Sequence, residues 1–412
     1  MTRDAEDSGD DLRARDINTQ FVHAGERLPP RAGRPVATPV YATATYTFDS
    51  MSEMDAAFAD ESAGYVYARY GNPTTHALET ALATLEAGAG ACAYASGMAA
   101  VHAALLACGL EAGATILAAQ DLYGATTALL HNVFAKLGVR VAAADFGDAA
   151  AVQRAAGETR PRVLLAETIS NPLLKVCDLA ACAEIARAVG ASFVVDNTFA
   201  TPVLCQPLRF GADVVVHSAT KYLGGHGDAL GGVAVARDAA THAALVELKK
   251  LVGGVLSAWE AHEILRGVKT LGVRLERQCA NARRLAERLA EHPRVARVFH
   301  PGFGANAAQA ALVARVLRPP HTGALVAVEL RENTKAAAFR FLDALGLCVR
   351  LTSLGDVETC VLHPMTASHR GLAPELRRAL GIGDGLVRIS VGIEAYADIL
   401  EDIEQALDAG IS

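Results

Sequence analysis

The segment VVVHSATKYLGGHGD, residues 214–228, indicates more about the fold than any other part of the sequence. A run of valines typical of a buried strand leads through Ser218 and Thr220 to Lys221, and three glycines follow. Consecutive apolar residues without alternation are typical of strands covered on both faces, as in a parallel sheet. Polar residues directly after such a strand lie at its carboxyl end, where open α/β sheets bind their ligands.

Outward from this segment, short apolar runs alternate with helical patterns between about residues 75 and 255. The predicted strands are Ala91–Ala95, Thr115–Ala119, Val139–Ala143, Val163–Ala166, Phe193–Val195, Val214–His217 and Gly232–Ala236. Helical patterns lie between them, for example at Ala125–Leu137 and Leu179–Val189. This alternation predicts an α/β fold with a mostly parallel central sheet and helices on both faces.

The second half of the sequence predicts a smaller α+β domain. A long helical pattern covers Ala258–Glu291 and leads into it. Strand and helix patterns then mix at Leu325–Leu330, Lys335–Leu345, Cys348–Leu351, Thr359–His363, Leu386–Val391 and Tyr396–Leu407. We therefore predict a large domain at residues 67–260 and a C-terminal α+β domain at 261–412.

The first 66 residues differ from both predicted domains. Residues 1–15 are acidic and polar, and we predict a disordered tail there. Residues 16–66 contain several helix-breaking prolines, and we predict an extended arm that contacts a neighbouring subunit.

Composition argues against several classes of protein. The net charge of −7 and the absence of a basic run give no electrostatic footprint for nucleic acid. No uninterrupted apolar run has the length of a membrane span. The eight cysteines form no CxxC pair and no zinc-site spacing, so we predict reduced buried thiols and no metal site. These features favour a cytoplasmic protein that acts on a small molecule.

Three strand ends carry candidate chemistry. Lys221 is a candidate because a lysine amine forms Schiff bases with aldehydes. Asp196 ends another apolar strand, where a buried carboxylate needs a partner such as a protonated ring nitrogen. Ser96 and Gly97 begin an alanine-rich helix, whose first amides can bind phosphate. Taken singly, these residues also fit a surface lysine, a turn-forming aspartate and a helix-capping serine.

Four motifs together resemble the Cys/Met-metabolism family of pyridoxal 5′-phosphate (PLP) enzymes. They are SATKYLGGHGD at residues 218–228, YARYGNPT at 67–74, SLG at 353–355 and RISVGIE at 388–394. The family includes cystathionine γ-synthases, cystathionine γ-lyases, methionine γ-lyases and O-acylhomoserine sulfhydrylases. The resemblance spans about residues 16–410. It implies PLP as cofactor and the aspartate aminotransferase-like fold, known as fold type I of the PLP-dependent transferases.

The resemblance implies a role for each matching residue near the cofactor ring and the substrate. Lys221 would carry the cofactor as a Schiff base and move protons, and Asp196 would pair with the ring nitrogen. Asn171 would contact the ring oxygen, and Tyr123 would stack on the ring and assist proton transfer. Arg388, with Ser353 beside it, would bind the substrate carboxylate, which matches its planar guanidinium.

The resemblance also implies a phosphate site that two subunits share. One subunit would provide Ser96, Gly97, Met98, Ser218 and Thr220. Tyr67 and Arg69 would reach the phosphate of the neighbouring subunit. This sharing implies that a dimer is the smallest active unit, and the family typically forms a homotetramer from two dimers.

Two reactions stay open. γ-Elimination from cystathionine, methionine or homocysteine gives 2-oxobutanoate, ammonia and a thiol. γ-Replacement exchanges the acyloxy group of O-acetyl- or O-succinylhomoserine for the sulfur of a thiol or sulfide and releases acetate or succinate. Ala125 stands where methionine γ-lyases typically carry cysteine, although SLGDVET at residues 353–359 resembles those enzymes. Glu358 matches a position linked to substrate choice in cystathionine γ-lyases, but it also fits a solvated charge. We predict γ-elimination as the main activity, with γ-replacement as the alternative and β-elimination as a further variant.

Two alternatives come from other classes of protein. One is an aminotransferase of the same fold, and the other is a non-catalytic descendant that serves as a binding protein. Lys221, Asp196, Tyr123 and Arg388 are all present, and the complete set of motifs argues against both alternatives.

Overall fold

The computed structural model describes residues 12–25, 35–59, 64–304 and 306–409. Most of the predicted tail, residues 1–11, lies outside these ranges, as do residues 26–34 and 60–63 of the predicted arm. The described part of the arm contains helices α1 (Ile17–His23) and α2 (Met51–Phe58), which the proline-rich pattern did not predict. Asp16 and Ser50 cap these two helices with their side chains, so local capping produces them despite the nearby prolines.

A seven-stranded sheet forms the centre of the larger half of the molecule, in the order β1-β7-β6-β5-β4-β2-β3. Its strands are β1 (Gly90–Tyr94), β2 (Thr115–Ala119), β3 (Arg140–Ala144), β4 (Val163–Glu167), β5 (Ser192–Asp196), β6 (Val214–Ser218) and β7 (Gly232–Ala236). Neighbours from β3 to β6 pair in parallel, and only β7 runs antiparallel to both β6 and β1. The predicted mostly parallel sheet is confirmed.

Helices cover this sheet, and polar side chains cap most of them. They are α3 (Pro73–Leu85), α4 (Gly97–Ala107), α5 (Gly124–Leu129), α6 (Ala149–Thr159), α7 (Leu179–Val189), α8 (Thr201–Leu204) and α9 (Ala239–Val252). The predicted helix Ala125–Leu137 consists of three consecutive segments in the structure. Helix α5 is followed by a π-helix (Leu130–Phe134) and a 3₁₀-helix (Ala135–Leu137). A further 3₁₀-helix, Pro207–Phe210, precedes β6.

A five-stranded sheet with the order β10-β11-β12-β9-β8 forms the smaller half. Its strands are β8 (Val295–Phe299), β9 (Leu325–Leu330), β10 (Val349–Arg350), β11 (Cys360–Leu362) and β12 (Leu386–Ser390). The helices of this part are α10 (Ala258–Val268), α11 (Leu271–Ala290), α12 (Ala307–Val316), α13 (Lys335–Ala344), α14 (Pro374–Ala379) and α15 (Tyr396–Asp408), with a 3₁₀-helix at Pro364–Thr366. The predicted long helix Ala258–Glu291 is therefore two helices that meet at residues 269–270.

Helix α11 joins two hydrophobic cores. Leu275 and Cys279 pack into the core of the seven-stranded sheet, whereas Leu285 and Leu289 pack into the core of the five-stranded sheet. One helix therefore belongs to both cores, and the domain limits predicted from the sequence stay a prediction. All eight cysteines are buried and unpaired. Among the described residues, no helix combines the length and apolar character of a membrane span.

Candidate active site

A cavity of about 410 Å³ opens at the carboxyl ends of β4, β5 and β6. Carboxyl ends of neighbouring parallel strands meet at one edge of a sheet, so residues distant in sequence converge there. The cavity is lined by most of the predicted site residues, namely Ser96, Gly97, Met98, Tyr123, Asn171, Asp196, Ser218, Thr220, Lys221 and Arg388. Ser353 lies beside the cavity and contacts Lys221 directly.

Lys221 reaches the cavity from the turn after β6. Its Nζ donates a hydrogen bond to Ser353 Oγ at 2.9 Å, and its main chain bonds to Ser218 and Gly225. Burial lowers the pKa of Lys221, while the charge of Asp356 acts in the opposite direction. A lowered pKa makes the neutral amine more available, and the neutral amine is the form that attacks a carbonyl group.

A cradle suited to phosphate lies beside Lys221. Ser96 caps α4 through its Oγ, which accepts from Ala99 N at 3.1 Å, and the first amides of this helix border the cavity. A side chain on Gly97 would collide with Ser218, since an added Cβ would lie 2.8 Å from the Ser218 Cβ. The glycine therefore allows the helix start and two hydroxyls, Ser218 and Thr220, to line one cavity, a combination that fits an anionic phosphate.

Two adjacent carboxylates form another wall of the cavity. Glu167 ends β4 and Asp196 ends β5, and the two residues pair directly in the sheet. Burial raises the pKa of Asp196, and burial together with the charge of Asp196 raises that of Glu167. Neither forms an ion pair with a lysine or arginine in the described part of the chain. A protonated ring nitrogen would supply the donor that such a pair requires.

Glu167 is a cavity residue that the sequence analysis did not single out. Its Oε1 accepts a hydrogen bond from Tyr123 N at 2.6 Å, so it holds the main chain that carries the tyrosine ring. Tyr123 itself lies at the start of α5 with 41% of its surface exposed, which leaves the ring free to stack. A carboxylate at the end of an apolar strand, the signal used for Asp196, was also present at Glu167.

Arg388 projects from β12 of the smaller sheet into the cavity and is 3% exposed. Its guanidinium donates to Asn171 Oδ1 at 3.0 Å and to the Ser353 carbonyl at 3.2 Å. Its Nε is buried and has no hydrogen-bond partner. Burial lowers the pKa of Arg388 to about 10, so it remains a cation at neutral pH. A buried cation with an unused donor fits a substrate carboxylate.

Tyr67 and Arg69 do not line the cavity of Lys221 within one chain. The Arg69 guanidinium lies over the rings of Tyr70 and Tyr67, at 4.7 and 5.5 Å from the ring centres, and donates to the Lys250 carbonyl. Arg69 lines a different cavity of about 670 Å³ beside α3 and α9. The role of these two residues in a neighbouring subunit stays a prediction.

The cavity brings together a lysine amine, a helix start with two hydroxyls suited to phosphate, a carboxylate pair and a buried arginine, which are the kinds of group that a PLP-dependent enzyme requires. The family model described as Cys/Met metabolism PLP-dependent enzyme matches residues 18–408, and the chain belongs to this family. PLP is therefore its cofactor, as the sequence predicted, and the described residues of the cavity provide suitable partners for each part of that molecule.

Individual relatives cover nearly the whole chain. An L-methionine γ-lyase of Pseudomonas putida is 42% identical over 392 residues, which are 95% of this chain and 97% of that protein. A cystathionine β-lyase of Coxiella burnetii is 39% identical, with the same two coverages. A crystal structure of cystathionine γ-synthase from Xanthomonas oryzae pv. oryzae has a TM-score of 0.89 at 37% identity, covering 96% of this chain and 98% of that one.

Two buried histidines, His300 and His369, are expected to make the free energy of unfolding depend on pH. His369 supports the site by contacting the Asn171 carbonyl at 3.1 Å, and His300 contacts the Gly323 carbonyl at 3.2 Å. Burial lowers the pKa of both to about 4. The unfolded chain binds these protons near pH 6.5, so the free energy of unfolding falls as pH falls from about 6.5 to 4, by roughly 3 kcal/mol for each histidine.

Urea unfolding of the wild type and a His300→Gln variant at pH 7 and pH 4.5 measures this effect. We expect the variant to be less stable at pH 7 but to lose less stability between the two pH values. Equal losses in the two proteins would contradict the prediction for His300.

Proposed function

We propose that this enzyme catalyses γ-elimination on sulfur amino acids such as methionine, homocysteine and cystathionine, with 2-oxobutanoate, ammonia and a thiol as products. The observation that supports this most directly is that Lys221 Nζ and the guanidinium of Arg388 border one cavity, with Ser353 contacting both. Several relatives with about 40% identity are L-methionine γ-lyases, which agrees with this choice among the reactions of the family.

Each polar group has a distinct task in this proposal. Bound PLP supplies an electron-withdrawing ring that makes protons on the substrate carbons acidic. Arg388 binds the substrate carboxylate and so fixes which bond of the α-carbon faces Lys221. The Lys221 amine accepts and returns protons, and Ser353 Oγ holds this amine in place when it is free. Tyr123, whose main chain Glu167 holds, borders the same space and assists proton transfer.

γ-Replacement on O-acetyl- or O-succinylhomoserine is the second candidate. It shares every residue above, because the two reactions differ only in whether a thiol enters before the product leaves. A cystathionine γ-synthase of Mycobacterium bovis that is 40% identical supports it, and Ala125 weakens only the narrower interpretation as a specialised methionine γ-lyase.

The deciding experiment is release of 2-oxobutanoate by the purified, PLP-loaded protein from L-methionine, L-homocysteine and L-cystathionine separately. We expect release together with a stoichiometric thiol. Release of pyruvate from cystathionine would instead indicate β-elimination. If no oxo acid is formed, but O-acetyl- or O-succinylhomoserine reacts with cysteine or sulfide to a thioether or thiol, γ-replacement takes the place of our proposal.

We also propose that the active enzyme is a cytoplasmic homotetramer, a dimer of dimers in which Tyr67 and Arg69 complete the phosphate site of the neighbouring subunit. Arg69 lines a cavity other than that of Lys221, which agrees with a role in a neighbouring subunit. The buried, unpaired thiols agree with a reducing compartment.

Mixed subunits test the shared site. Arg69→Ala and Lys221→Ala variants, each inactive alone, are co-expressed with different tags, so that mixed dimers form. We expect roughly a quarter of wild-type activity, because random pairing makes half of the dimers mixed and each mixed dimer contains one complete site. An equal mixture of the separately purified, non-exchanging proteins is the control and stays inactive. No recovery in the mixed dimers would mean that Arg69 serves its own chain.

A further inference from the structure

A second polar cluster lies next to the strand ends that form the cofactor cavity. Glu167, Asp196 and Ser218 end β4, β5 and β6 and line the cavity. Their direct chain neighbours Thr168, Asn197 and His217 do not line it. Alternate side chains of extended segments point in opposite directions. We call Thr168, Asn197, His217 and the residue they converge on, Glu86, the Glu86 network.

The network is hydrogen-bonded and sealed from solvent. Glu86 Oε1 contacts His217 Nε2 at 2.6 Å and accepts from Asn197 Nδ2 at 2.9 Å. Asn197 Oδ1 accepts from Thr168 Oγ1 at 2.7 Å. The exposed fraction of all four side chains is 0%. One carboxylate therefore links residues adjoining three neighbouring strand ends, and Glu86 itself directly follows α3.

Burying the Glu86 carboxylate costs free energy, which a purely structural role in the core does not explain. In the described part of the chain, Glu86 has no lysine or arginine within ion-pair distance, and its Oε2 is buried without a hydrogen-bond partner. Buried carboxylates lose their hydration, and replacing a whole buried ion pair by apolar residues of similar size often gives equal or higher stability. The cost is offset by function if the network fixes groups that the cofactor site needs.

Asn197 is the member of the network with the most direct connection to the site. Its Nδ2 also donates to the Cys205 carbonyl at 2.9 Å, and its main-chain N donates to the Val216 carbonyl at 2.8 Å. Asp196, the residue before it, accepts a hydrogen bond from Thr198 N at 2.9 Å through Oδ1. Asn197 is thus held on both sides, and the main chain that it fixes leads directly into Asp196.

We propose that Glu86 is a positioning residue of the cofactor site, which acts through Asn197 to hold Asp196 where it meets the PLP ring. The proposal rests on the ring-nitrogen role of Asp196 and is independent of which substrate the enzyme takes. Its essential feature is a hydrogen-bond acceptor at Oε1, because the contacts of Asn197 and His217 both converge on that atom.

The test measures the dissociation constant of PLP from apoprotein in Glu86→Met and Glu86→Gln variants. Methionine keeps the volume but removes the acceptor, and we expect it to weaken PLP binding about tenfold, equivalent to about 1.4 kcal/mol. Glutamine keeps an acceptor oxygen, and we expect its PLP affinity to stay within about threefold of wild type, equivalent to about 0.65 kcal/mol. In an Asp196→Asn background, Glu86→Met should add little further loss, because the two residues act in series.

Asp402→Asn is the matched control for general loss of stability. Asp402 is also a buried carboxylate, but it accepts the main-chain amides of residues 346–348 beside the smaller sheet. We expect it to lower the melting temperature without changing PLP affinity. If Glu86→Met does not fold, Asn197→Ala removes the same link and is expected to give the same pattern.

Three results would overturn the proposal. They are an unchanged PLP affinity in Glu86→Met, an equal loss in Glu86→Gln, or a full additional loss in the Asp196→Asn background. A different result would concern the site itself: if Asp196→Asn alone leaves PLP affinity unchanged, the ring-nitrogen role of Asp196 is wrong.

Discussion

Replacing Lys221 by alanine is expected to leave a folded protein that binds PLP without a covalent bond and lacks measurable lyase activity. Nζ of Lys221 is the amine in contact with Ser353 at the cavity, and proton transfer by such a positioned group contributes up to about ten-thousandfold to a rate. Burial disfavours the charge of this lysine, so its removal is not expected to lower the stability of the apoprotein.

The measurement combines absorbance, borohydride reduction and mass spectrometry. In the wild type, reduction of the Schiff base should fix the cofactor on the peptide that contains Lys221, whereas the variant should release all of its PLP on denaturation. Lys136→Ala, at an exposed lysine in the 3₁₀-helix after α5, is the control and should behave as wild type. Covalent PLP in the Lys221→Ala variant would show that another lysine carries the cofactor.

The second large effect is expected at Arg388. Replacing it by methionine removes the buried guanidinium that contacts Asn171 and Ser353, and leaves a substrate carboxylate without a partner. Removing one partner of a buried charged pair costs about 2–5 kcal/mol, so we expect kcat/KM to fall at least about thirtyfold. Lysine keeps the charge but not the planar fork, and should recover only part of the loss.

A substrate analogue separates this effect from damage to the site. An amine that lacks the carboxylate should react equally slowly with the wild type and Arg388→Met, because it makes no use of the guanidinium. Retention of the PLP absorbance band shows that the cofactor site is intact, and Arg378→Ala, which disrupts an exposed ion pair with Glu375, is the control. A normal KM and kcat in Arg388→Met would exclude the proposed carboxylate site.

The strands of the larger sheet were predicted well because their local signals are strong. Thr115–Ala119 and Gly232–Ala236 match the structure to the residue, and the other five differ by one residue at one end or at both ends. The helices were harder, because periodicity alone does not show where a regular helix stops. The apolar pattern continues through residues 269–270, where α10 ends and α11 begins.

The site was predicted as a set of residues but not as an arrangement. Motifs identified Lys221 and Arg388, the end of an apolar strand identified Asp196, and all three line the cavity. Glu167 was missed because the predicted strand ended one residue earlier, at Ala166, and its contact with Tyr123, 44 residues away in the sequence, has no local signal. The Glu86 network has no local signal, because its contacts span up to 131 positions along the chain.

The amino-acid sequence by itself determined the α/β class, the strand order along the chain and the family, and it supplied Lys221 as the candidate for the cofactor-binding lysine. These depend on periodicity and short motifs, which are properties of neighbouring residues. The tertiary structure alone decided that Arg388 from the smaller sheet meets Asn171 from the segment after β4, that Glu167 holds Tyr123, and that Glu86 links residues beside three strand ends. Such contacts form only when the packing of two sheets and their helices brings distant residues together, and no local pattern encodes that distance.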